Sequence, residues 1–162
     1  MVDGTQNNLS GMSLEHGVAS ICMGLGFNAN ARHMLDPSIG LAPHRTRTNL
    51  SVWVHPCELF PHGLGIDASS YNESGSAYQK VPYKIINAGG WKCPGLVILD
   101  GDGRGIGPMR RFAVEFVEGY PSCIGVFRLT EFKVWLADVK SVGKPVTGQG
   151  VAEIQQSLLL GV

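Results

Sequence analysis

Arg111-Phe-Ala-Val-Glu-Phe-Val117 decides how the rest of the chain is read. Phe112, Val114 and Phe116 alternate with Arg111, Ala113, Glu115 and Val117, the two-residue period of a half-buried strand. Gly119-Tyr-Pro-Ser122 then supplies a turn into Cys123 to Leu129, and Glu131 to Val139 continues with Phe132, Val134 and Leu136 placed to face inward. Three consecutive strands joined by short turns make an antiparallel meander the simplest expectation.

Upstream, Val81 to Ile86 and the apolar run Leu96 to Leu99 read as two further core strands, separated by Gly89-Gly90. The unbroken apolar character of the second implies burial on both faces. Asn49 to His55 alternates as well, with Leu50, Val52 and Val54 on one side and Ser51, Trp53 and His55 on the other; Pro56 ends it. Between Phe60 and Gln79 a long loop is expected, with a short Leu64 to Ile66 segment able to pair briefly.

The N-terminal part reads differently. Residues 1 to 11 are polar and turn-forming and predict an extended arm. Leu14, Val18, Ile21 and Leu25 follow helical spacing and predict a short helix stopped by Gly24 and Gly26. Residues 28 to 48 carry no sustained period and read as a linker, with at most a helical turn from Ala31 to Leu35. Near the other end, Val151, Ile154, Leu158 and Leu159 predict a short C-terminal helix. The expectation is therefore a mainly β protein: a small antiparallel β-barrel or sandwich with an extended N-terminal arm and a short helix at each end. The expected organisation is an arm, helix and linker over 1–48 and a β domain with its C-terminal helix over 49–162.

The 162 residues are enough for one domain with its own core. Thirteen basic and thirteen acidic residues give zero formal net charge, and only 16% of residues are charged. The basic pairs Arg45/Arg47 and Arg110/Arg111 are isolated, so the chain lacks the basic stripe with which nucleic-acid binders displace counterions from phosphates. Low charge, 22 glycines and 44% hydrophobic residues instead favour self-association. The start lacks the basic residue and apolar run of a secretory signal, and the Gly17 to Phe27 stretch is too short for a bilayer, which needs about 20 residues. The expectation is an intracellular origin, with incorporation into a virion as one destination, and no membrane partner.

Two stretches could carry chemistry. His55, Cys57 and His62 are a mixed nitrogen and sulfur set that Cys93 could complete to a tetrahedral zinc site, although the spacing matches no standard zinc pattern. The same Cys57, beside a histidine, could serve as a thiolate nucleophile. A structural loop is the commoner setting for residues spaced in this way and is the favoured reading of them. Asp100-Gly-Asp102 follows an apolar strand and could offer two carboxylates to a hard cation, or simply form a wide glycine turn. Trp53, Trp91 and Trp135 suit core packing or a subunit interface.

No catalytic constellation is complete and no cofactor is expected. The leading expectation is a structural or assembly protein that acts through subunit contacts, forming homo-oligomers or joining neighbouring structural proteins, as decoration, cementing, minor capsid or tail components of virus and phage particles do. The alternative is a small-ligand- or metal-binding barrel, an enzyme with a Cys/His site being one form of it.

Overall fold

The computed structural model describes residues 4–31, 34–35, 48–70, 80–91, 93–101, 106–120 and 122–147. Its elements run α1 (Gly4–Gly24), β1 (Ala29–Ala31), β2 (Met34–Leu35), β3 (Thr48–Asn49), β4 (Val52–Val54), β5 (Leu64–Ser70), α2 (Val81–Gly89), β6 (Gly95–Asp100), α3 (Ile106–Val117), β7 (Cys123–Phe127) and α4 (Leu129–Val142). Five strands form one open sheet in the order β1-β4-β5-β6-β7, and β2 pairs with β3 separately. β4 pairs antiparallel with β1 on one side and with β5 on the other, whereas β5, β6 and β7 are parallel. Parallel neighbours need a crossover, and α2 and α3 provide them.

This corrects the expectation of a mainly β barrel or sandwich: the fold is α/β, with an open mixed sheet between helices. Three expected elements change type. Arg111 to Val117 is helical, and the side chains that face the sheet are Ala113 and Val117, one turn apart. Val81 to Ile86 is the start of α2, where Pro82 suits the first helical turn because its missing N–H is not needed there. Glu131 to Val139 lies in α4, which buries Phe132, Trp135, Leu136 and Val139, the i, i+3, i+4, i+7 stripe of an amphipathic helix. Val134, expected inward, is 51% exposed.

Other expectations change in length. The extended arm is helical from Gly4 onward, so α1 begins well before Leu14. The brief Leu64 to Ile66 pairing is the start of the seven-residue β5, at the middle of the sheet. The Leu96 to Leu99 and Cys123 to Phe127 strands are present, but as parallel neighbours rather than part of an antiparallel meander. The expected C-terminal helix from Val151 lies outside the described residues.

Alternation along the strands sorts the core into two layers. Leu64, Ile66 and Ala68 of β5, Leu96 and Ile98 of β6, and Ile124 and Phe127 of β7 pack with Leu14, Val18 and Cys22 of α1 and with Phe132, Trp135, Leu136 and Val139 of α4. On the opposite face Val97, Leu99, Cys123 and Val126 pack with Val81, Ile85 and Ala88 of α2 and with Ala113 and Val117 of α3. Trp53 of β4 and Leu50 belong to this second layer, whereas Val52 and Val54 belong to the first.

One close approach depends on glycine. Gly65 and Gly95 are partners across the β5–β6 ladder. A Cβ on Gly65 would stand 2.8 Å from the Trp91 ring, and one on Gly95 would stand 2.6 Å from it. The paired glycines are thus a flat seat on which the buried indole lies.

Candidate functional site

In an open α/β sheet, the crevice beyond the carboxyl ends of parallel strands is left uncovered by the strands themselves, and helices start there. In this chain α2 follows β5, α3 follows β6 and α4 follows β7, so three helix N-termini open at one edge. The first turns of α2 and α3 contain no acidic residue, and that of α4 contains Glu131. Unsatisfied N–H groups and the helix dipole give such ends a partial positive charge.

Two arginines add full charges. Arg128 directly follows β7. Its Nη2 donates to the carbonyl of Gly101 over 2.7 Å, and its Nε lies 3.8 Å from the Asp100 carboxylate. Gly101, just past β6, has φ +125°, a conformation that glycine tolerates and that turns the chain off the strand. The Arg128 and Asp100 side chains are 41% and 32% exposed, so both reach solvent. Arg110 of α3 is ion-paired with Glu131 of α4. Its Nε is buried and has no hydrogen-bond partner among the described residues. Glu131 also accepts the backbone N–H of Arg128 over 2.7 Å, capping the first turn of α4.

A separate charged pair lies deeper, on the α2 side of β5. Asp67 projects toward α2 and pairs with Lys84 over 3.0 Å, both side chains being about four-fifths buried. Beside it Ser51 accepts the N–H of Ala68 over 2.9 Å and donates to the carbonyl of the same residue over 3.3 Å.

The residues singled out from the sequence are scattered. His55 extends past β4, bonds through Nε2 to the Asn30 side chain and lies edge-on to Trp53 with ring centroids 6.4 Å apart. Cys57 and His62 are exposed in the β4–β5 connection, where the Cys57 N–H is bonded to the carbonyl of Phe60. Cys93 is buried among Trp91 and the α2 and α3 side chains. Among the described residues no three histidine, cysteine, aspartate or glutamate side chains are grouped so as to hold a metal ion. Asp100 stands at the carboxyl edge facing Arg128, and Asp102 lies outside the described residues.

Cys22, Cys93 and Cys123 share one electrostatic character. Burial disfavours the thiolate and pushes the three thiols up, to about 12, about 11 and about 12 respectively. Such thiols are packing groups rather than nucleophiles. Arg128 was missed because a charge directly after an apolar strand has meaning only once the strands are known to be parallel, and Arg110 and Glu131 because their segments were read as strands or turns rather than as parts of the helices α3 and α4.

No protein-family model matches the sequence, and no curated protein matches it. Among solved structures, the crystal structure of a protein of unknown function, AF1548, is similar over 73% of this chain and 56% of that one, with 11% identity and a TM-score of 0.44. The chain therefore spans little more than half the length of that protein, and likeness at this level assigns neither a family nor a function. No helix among the described residues is long and apolar enough to cross a membrane.

Proposed function

We propose that the chain is a ligand-binding α/β domain that takes a small anion, bearing a carboxylate or phosphate group, at the carboxyl edge of β5, β6 and β7. The observation that supports this reading is the placement of Arg110 and Arg128 at the same edge as three helix N-termini. The contact between Arg128 and Asp100 is long and solvent-reaching, so an incoming anion can take the place of the carboxylate at the guanidinium. The carbonyl of Gly101 meanwhile holds the arginine in position. No catalytic step and no metal is assigned to this edge.

The test is calorimetric titration with inorganic phosphate, pyrophosphate, nucleoside phosphates and dicarboxylates. Arg128→Ala should weaken binding of whichever anion binds by about tenfold or more, as for loss of a charge-assisted hydrogen bond. Lys133→Ala, on the exposed surface of α4, is the control and should bind as the parent does. If no anion in the panel binds, or if the arginine variant binds as well as the parent, the reading fails.

A second reading, a protein that works through subunit contacts, is supported by a separate observation. The outer surface of the α2–α3 layer exposes Tyr83 (58%), Ile86 (38%) and Phe112 (46%). Aromatic residues of this kind are enriched where proteins meet one another. Sedimentation velocity across a range of concentrations tests it, and a monomer at every concentration would remove it.

A further inference from the structure

The second reading can be carried to a particular partner and a particular geometry. Along α3, Phe112 stacks on Phe116 with ring centroids 5.5 Å apart, and Phe116 packs on Tyr120 at 5.2 Å. Phe116 and Tyr120 lean on the core beneath α2 and α3, while Phe112 is left outside it. Arg111 and Glu115, both exposed and one turn apart, line one side of Phe112 on the helix, and neither makes an ion pair among the described residues. The exposed strip thus carries an aromatic centre with one positive and one negative side chain.

We propose that α3 is the pairing helix of a homodimer, in which two copies meet antiparallel about a two-fold axis at the level of Ala113. Two-fold symmetry makes every contact reciprocal, so the surface must complement itself. Arg111 and Glu115 lie two residues on either side of that level, about 3 Å along a helix that rises about 1.5 Å per residue. Each Arg111 therefore faces the partner's Glu115, and each Glu115 the partner's Arg111. Phe112 is one residue from the axis, so the two Phe112 rings meet at the centre, where exclusion of water matters most. Gly107 and Gly119 bracket the strip and leave its ends low, and zero formal net charge removes long-range repulsion between copies.

The charge complementarity selects a second copy over an unrelated partner, and it also sets the experiment. Sedimentation velocity and native mass spectrometry are applied to the full chain and to F112E, R111E, E115R and the double variant R111E/E115R. The parent should be a dimer. F112E should dissociate it, R111E and E115R should each weaken it by about tenfold or more, and the double variant should restore it. All three substituted positions are exposed, and circular dichroism should show an unchanged fold; if F112E alone unfolds, the charge exchange decides. A parent that is monomeric throughout overturns the proposal together with the subunit-contact reading on which it rests. A parent that associates unaffected by these variants overturns the α3 geometry and leaves that reading standing.

Discussion

Arg110 and Glu131 are ion-paired although they belong to helices on opposite faces of the sheet, so their contact ties α3 to α4 across its carboxyl edge. Glu131 does two things there, since its other oxygen accepts the N–H of Arg128 at the start of α4. Glu131→Ala removes both and should cost about 1–2 kcal/mol. Arg110→Ala removes the pair alone and should cost less, about 1 kcal/mol or under. In urea denaturation, the coupling energy of the double variant should fall short of the full Glu131→Ala cost. Coupling equal to that cost would mean that the cap contributes nothing.

The Gly65–Gly95 seat makes the fit around Trp91 sensitive to a single methyl. Gly95→Ala places a Cβ 2.6 Å from the indole and 3.0 Å from the carbonyl of Ala88, so the ring has to move. The expected destabilisation is about 2–3 kcal/mol. In a Trp91→Leu background the penalty should fall, because the smaller side chain leaves room. Trp91→Phe should cost less than truncation to Ala, since the indole Nε1 is buried and has no hydrogen-bond partner among the described residues. Equal Gly95→Ala penalties in the two backgrounds would show that Trp91 is not what the glycine accommodates.

Ser51 supplies a side-chain bridge to β5 just before β4 begins. Its hydroxyl satisfies both backbone groups of the buried Ala68. Ser51→Ala leaves that N–H without its acceptor and should cost about 1–3 kcal/mol. Amide exchange at Ala68 should accelerate relative to Ile66, and unchanged exchange would mean that the hydroxyl is not its protector.

Thiol chemistry separates Cys57 from the other three cysteines. In the folded protein a disulfide-exchange reagent should modify the exposed Cys57 rapidly, and Cys22, Cys93 and Cys123 only on unfolding. The folded state holds the protons of these three more tightly than the unfolded chain, whose thiols ionise near 9.0. Their contribution to stability is therefore complete below that value and is lost as the pH rises toward 11–12. Each thiol contributes a slope of up to about 1.4 kcal/mol per pH unit in that window. Urea midpoints should fall with alkaline pH, and Cys123→Ala should fall less steeply than the parent. Equal slopes would rule out this thiol as a source of the pH dependence.

The sequence made the β6 and β7 segments and the α1 stripe legible as a strand pair and a helix, but not the parallel direction of the strands, and it misled at the other helices for an identifiable reason. Phe112 and Phe116 are four apart, a spacing that satisfies a period of two and a helical turn alike. What separates the two is which side chains are buried, and in α3 these are the small Ala113 and Val117. In α4 the discriminating residue was Trp135, which belongs with Phe132 and Leu136 only on a helix. Leu14 and Val18 were read correctly as an inward stripe, but the fully buried Cys22 completes it better than Leu25, which is only partly buried. The candidate site depended on these assignments. Arg128 is an unremarkable charge at the end of a meander strand, and stands at an uncovered carboxyl edge only when β5, β6 and β7 run the same way.

The strand order keeps chain order throughout, and β5 is where antiparallel pairing gives way to parallel. On one edge β5 completes the short strands β1 and β4; on the other it templates the crossover units that end in β7. Neither half has a full set of backbone partners once this strand is gone, and α1 packs across the same strand. The two halves are consequently bound into one cooperative unit: they cannot melt in turn, because the segment that each would need to survive alone is the one they hold in common.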